Sequence, residues 1–134
     1  MNKYLFLLIW LYSTAVFSDD FDCDKAMTTI EINHCAGLVL ESAEKEMSIY
    51  LLKSKAHHHY DPELIESIES AQKAWLAYAK AHCDAIYTMW REGSIRGMMY
   101  LSCKTNITEQ RTHDIWSSFL TYMDSTPPVL PEPE

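Results

Sequence analysis

The sequence predicts an all-α fold: a small antiparallel helical bundle stapled by two disulfides. Three observations carry that expectation. Apolar residues recur at three- and four-residue spacing along three stretches, and no stretch sustains the period-two alternation of a strand. The 134-residue chain holds only three glycines, too few for a turn-rich β-sandwich, a phosphate-cradling loop or a dinucleotide fold. It also holds four cysteines, an even set suited to disulfides if the chain is exported.

The start of the chain argues for export. Met1-Asn2-Lys3 supplies a short positive start, and Tyr4 to Phe17 is an almost unbroken apolar run. As a helix that run rises about 21 Å, short of the roughly 30 Å hydrocarbon core, so a secretory signal peptide fits better than a membrane span. Val16 and Ser18 satisfy the small-residue requirement and place cleavage before Asp19. Residues 1–18 are thus the expected leader, and 19–124 the helical domain. No cysteine follows the run closely enough to carry a lipid.

The first helix opens at Thr28-Thr29-Ile30-Glu31, a capping box in which Thr28 accepts from the helix start and Glu31 reaches back. Its apolar face runs through Cys35, Leu38, Val39, Ala43, Met47, Tyr50 and Leu51, and it fades near Lys55 to His57. His58 to Asp61 then form a connection, with Pro62 suited to the first turn of the next helix. That second helix reaches about Arg91 along a stripe of Leu64, Ile68, Ala71, Trp75, Ala79, Cys83, Ile86 and Trp90, and Gly93 ends it. The third carries Ile95, Met99, Cys103, Ile107, Ile115 and Phe119, with a restart expected near Thr105-Asn106. Four prolines between Ser125 and Glu134 predict a disordered, extended tail.

The hairpin constrains the cysteines. Cys83 lies ten residues before Gly93 and Cys103 ten residues after it, so an antiparallel corner at Gly93-Ser94 brings the two sulfurs level. Cys23 then pairs with Cys35 by elimination, which folds the segment before the first helix back along its opening turns. Zinc is the rival reading, but the cysteine spacings contain no CxxC knuckle.

Several residue groups have the chemistry of a functional site, and most also have an ordinary structural role. His57-His58-His59 is the loudest local signal, yet consecutive residues rarely aim at one ion, and a solvated loop or a partner contact shared with Asp61 explains it better than a metal. His34-Cys35 and His82-Cys83 would make nucleophile pairs only with free thiolates facing the rings. The carboxylates Glu41, Glu44 and Glu46, or Asp61, Glu63 and Glu66, read as solvated helix faces rather than glycosidase pairs. Gln72 and Trp75 on the second helix and Arg111 on the third are polar groups on apolar stripes that must find partners. Glu31 is the expected partner of Arg111, making a polar core of Glu31, Gln72, Trp75 and Arg111. No nucleophile, base or oxyanion site emerges, and no cofactor is implied.

Charge narrows the partners. Eleven Lys and Arg against nineteen Asp and Glu give a formal charge of −8, which disfavours nucleic acid and favours a basic partner.

Several motifs together resemble one family. Asp22-Cys23 with Ala26, Thr28, Glu31, Asn33 and Cys35 is similar to the opening of the lysozyme-inhibitor LprI-like family. So are Ala71-Gln72-Lys73-Ala74-Trp75-Leu76-Ala77-Tyr78 followed by Cys83, and Gly93-Ser94-Ile95 with Cys103 and Thr108-Glu109-Gln110-Arg111. Two places differ: Ala79-Lys80 stands where the family usually shows Arg-Asp, and Met47-Ser48 with Leu51 where Leu-Asn and Tyr are common. The resemblance implies a small exported bacterial protein, periplasmic or secreted, with a helical disulfide-linked domain. It also implies inhibition of lysozyme, whose basic character suits an acidic partner. Binding of a different envelope protein, immunity-fashion, is the alternative, with metal capture by the histidine loop behind it.

Overall fold

A computed structural model describes residues 21–133. The leader expected over residues 1–18, with cleavage before Asp19, lies outside the described residues. A short 3-10 turn at Cys23–Lys25 precedes three helices: α1 (Thr29–His57), α2 (Pro62–Met89) and α3 (Arg96–Phe119).

Local chemistry sets the helix ends. The Glu31 amide donates to Thr28 Oγ1 at 3.2 Å and the Thr28 amide donates to Glu31 Oε2 at 2.9 Å, closing the capping box. Asp61 caps α2 by accepting from the Leu64 amide at 3.0 Å, and Pro62 occupies its first turn. The Gly93 amide donates to Trp90 O at 2.8 Å in the turn that reverses the chain toward α3. No break interrupts α3 at Thr105-Asn106, where a restart was expected: the Thr105 hydroxyl donates to Leu101 O and leaves the helix continuous.

The helices run up, down and up. Gly97 faces Asn33 at one end and His58 meets Phe119 at the other, so α1 and α3 are parallel. The Cys83–Cys103 bond and the Gln72–Arg111 contact make α2 antiparallel to α3. α3 packs along both of its neighbours, while α1 and α2 meet mainly near their shared corner, through Lys55–Glu69 and Met47–Gln72.

The core departs from the expected stripes in an instructive way. Met47, Tyr50, Ile68, Ala79, Cys83 and Ile115 are buried, but Leu38 and Val39 remain 46% and 55% exposed. In mid-α3 the fully buried positions are Thr105, Thr108 and Thr112 rather than Ile107. Small β-branched side chains allow close helix approach, and the hydroxyls of Thr105 and Thr112 are satisfied by the carbonyl one turn earlier. At Gly97 the approach is closest, since an added Cβ would lie 2.8 Å from Asn33 Nδ2.

Both disulfides form as the hairpin argument requires, Cys23–Cys35 and Cys83–Cys103. The tail, however, is not disordered. Val129 donates to Leu120 O at 2.8 Å, and Val129 and Leu130 pack against a cluster of Met47, Tyr50, Ile115 and Leu120. Two aliphatic anchors suffice because the prolines have already restricted the chain and little entropy is left to lose.

Two outcomes test this account. Replacing Cys83 and Cys103 together by Ala should lower the unfolding free energy by about 3 kcal/mol in urea titrations, the loop-closure value for 20 residues of separation. Hydrogen bonds from the Thr28 and Met27 backbones hold the Glu31 carboxyl below its usual pKa, so it stabilises the fold above the ordinary carboxylate range. That contribution disappears as pH falls through the lowered value, and Glu31→Gln should make the acid side of the stability profile shallower.

Candidate binding site

Two features near the α1–α2 corner and a third toward the opposite end of the bundle gather the polar and aromatic chemistry. The first is a bridge through the core. Arg111 Nε donates to Gln72 Oε1 at 3.0 Å, and Gln72 Nε2 donates to Met47 Sδ at 3.5 Å, linking α3 to α2 and α2 to α1. Trp75, one turn beyond Gln72, packs against the Met47–Tyr50 cluster. Burial pushes the Arg111 guanidinium below its ordinary pKa, opposed by nearby Asp114, and one of its nitrogens, Nη2, is buried without a partner.

Of the four residues expected in the polar core, Gln72 and Arg111 bond each other, while Trp75 packs on the apolar cluster. Glu31 is not among them. It is engaged in the α1 cap, sixteen positions before Met47 and hence about 24 Å away along the helix axis. Arg111 takes Gln72 instead, because the antiparallel α2 presents its amide at the same level.

The second feature is the α1–α2 corner. His58 Nε2 lies 2.9 Å from Phe119 O and so ties the corner to the end of α3. His57 packs edge-on against Tyr122, His59 Nδ1 reaches back to Ala56 O, and Asp61 is the α2 cap. His57 and His58 also pack edge-on against each other at 4.8 Å between ring centroids, and Tyr60 lies against both His58 and His59. Among the described residues no three His, Cys, Asp or Glu side chains gather as cation ligands. The corner exposes His59, Tyr60 (71%) and Tyr122.

The third feature is the grooved outer face of α3. Ser102 and Asn106 form a ridge between two open troughs, one completed by His82, Ile86 and Met99, the other by Ala36, Val39 and Glu109. All four cysteines are in disulfides, which removes the thiolates that the His34-Cys35 and His82-Cys83 pairs would need. Where the family usually carries Arg-Asp, Ala79 is fully buried and Lys80 pairs with Asp84 on the surface.

The fold defines a small all-α domain of three helices stapled by two disulfides. Residues 22–115 match the family described as "Lysozyme inhibitor LprI", and the chain belongs to that family. A protein of Rhizobium meliloti (strain 1021), described only as uncharacterised, is 29% identical over 105 residues, covering 70% of this chain and 76% of that protein. No solved structure matches. The Gln72–Arg111 pairing lay within reach of sequence reasoning, since both residues stand inside family motifs. The signal missed was that Cys83–Cys103 already fixes the α2–α3 register.

Arg111→Ala should destabilise the fold by about 2–3 kcal/mol in chemical denaturation, because Gln72 Oε1 is left without its donor. Replacing Gln72 and Arg111 together by Met should recover much of that loss, and a double-mutant cycle reads the coupling.

Proposed function

We propose that the protein is exported and acts by binding, blocking lysozyme or another cell-wall hydrolase without catalysis of its own. Membership of the lysozyme inhibitor LprI family carries the reading. Charge supports it: the formal −8 becomes −9 when Lys3, the leader's only charged side chain, is removed with residues 1–18. Such a surface steers a basic enzyme into encounter and accelerates association, an effect that salt weakens. The two disulfides suit an oxidising compartment, periplasm or medium. Among the described residues no helix is long and apolar enough to cross a membrane.

The contact surface in this reading is the α1–α2 corner, where His57, His58, His59 and Asp61 shape a protrusion with Tyr60 and Tyr122 outward. Tyrosines of this kind supply rigid contact area with a polar tip, the pattern enriched in protein interfaces.

The test is a titration of oxidised chain beginning at Asp19 into several lysozyme types acting on a cell-wall suspension, at low and physiological ionic strength. Stoichiometric inhibition of at least one type is expected, weakening as salt rises and falling tenfold or more with Tyr60→Ala combined with His59→Ala. Absence of both inhibition and complex formation at low salt would overturn the reading.

A further inference from the structure

The C-terminal segment is held by a surface whose chemistry is matched to proline-rich chain in general. Prolines at 127, 128, 131 and 133 remove backbone donors and favour extended backbone at themselves and at the residues before them. Such a segment offers mainly carbonyl oxygens, and the helices answer with side-chain donors. Trp116 Nε1 donates to Leu130 O at 3.0 Å, and Tyr50 Oη donates to the next carbonyl, Pro131 O, at 2.8 Å. Val129 and Leu130 fill the apolar floor, and His113 Nε2 stands 3.2 Å from Glu132 Oε1. The side-chain donors and the histidine belong to α1 and α3, and the floor to these helices and Leu120; the tail contributes acceptors, two aliphatic groups, one carboxylate and a single donor, the Val129 amide.

The surface also extends beyond its resident. Ile49 (51% exposed) and Leu52 (64% exposed) form, with Lys53, Ala56 and the outer side of Leu130, an open apolar trough of about 330 Å³ beside the tail. The tail therefore covers only one side of a wider groove. Its tether is slight, since Met123 to Thr126 are exposed and their one side-chain-assisted bond, Thr126 N–H to Asp124, lies within the tether itself.

We propose that the Tyr50–Trp116 groove is a binding site for an extended proline-rich segment of another protein, of the pattern Pro-Pro-aliphatic-aliphatic-Pro-acid, with residues 127–132 as its resident competitor. Aromatic donors that read the carbonyls of a donor-poor extended chain are the recurrent means of recognising such segments. Competition in cis is equivalent to a local ligand concentration on the order of millimolar, so the site binds a partner weakly until the tail is displaced. This inference does not rest on hydrolase inhibition.

The test uses the full chain carrying Val129→Asp and Leu130→Asp, which removes the tail's apolar anchors and leaves Tyr50, Trp116 and His113 untouched. The probe is a fluorescein-labelled peptide copying residues 126–134. Saturable binding at least tenfold tighter than to the unaltered chain is expected, weakened severalfold by Trp116→Phe or by replacing the peptide's prolines with alanine. No saturable binding to a released chain that keeps its helical circular dichroism overturns the proposal, as does binding indifferent to Trp116→Phe. Should the released chain not fold, hydrogen exchange in the unaltered protein decides: excess peptide must accelerate exchange of the Val129 amide, and an unchanged rate overturns the proposal. A concentration-dependent dimer of the unaltered chain, lost in the released one, would assign the groove to tail exchange between copies and overturn the partner reading.

Discussion

The packing of α3 against both other helices is the constraint on which the rest of the molecule depends. α1 and α2 touch each other mainly near their corner, so each is held in place by α3. That arrangement demands a close approach along α3, and its buried face meets the demand with Thr105, Thr108 and Thr112 beside Ala43 and Ala79. Larger side chains would bury more apolar area but would push the helices apart. The core is consequently thin, and covalent and polar links take over part of its work. Cys83–Cys103 ties α2 to α3 at one level, and Arg111–Gln72–Met47 ties all three helices at another.

A thin core leaves much apolar surface outside. Leu38, Val39, Ile49 and Leu52 on α1, and Leu76 and Tyr78 on α2, are exposed. The same chain carries an excess of acidic side chains, nineteen Asp and Glu against eleven Lys and Arg. The aromatic corner and the tail groove lie at the same end of the bundle, where α1 and α3 finish and the chain turns into α2. His58 joins them physically, since it reaches Phe119 O from the corner while Leu120 O receives the Val129 amide of the tail.

Much of the fold was legible in the chain, for reasons that differ by residue. The capping box at Thr28 and Glu31, the Asp61–Pro62 start of α2 and the turn at Gly93 depend on groups within about four positions of one another. Their outcomes follow from local stereochemistry. The cysteine pairing was legible because a single turn at Gly93 fixes the register of a hairpin over its whole length. Arg111, half-buried on α3, bonds Gln72 rather than the expected Glu31. A carboxylate attracts by its charge, and charge alone gives no distance; the axial rise of α1 places Glu31 too far away.

The amino-acid sequence by itself determined the helical class, the ends of the helices, the disulfides and the acidic surface, because each rests on periodicity, local bonding or composition. Only the tertiary structure decided which faces are buried, which partner satisfies Arg111 and where the tail lies. Those outcomes depend on how closely helices approach and on which distant groups arrive at the same level. The tail shows the difference most clearly. Its prolines predict extended chain in either case, and only the folded surface, with Tyr50 and Trp116 brought side by side, supplies donors to hold it.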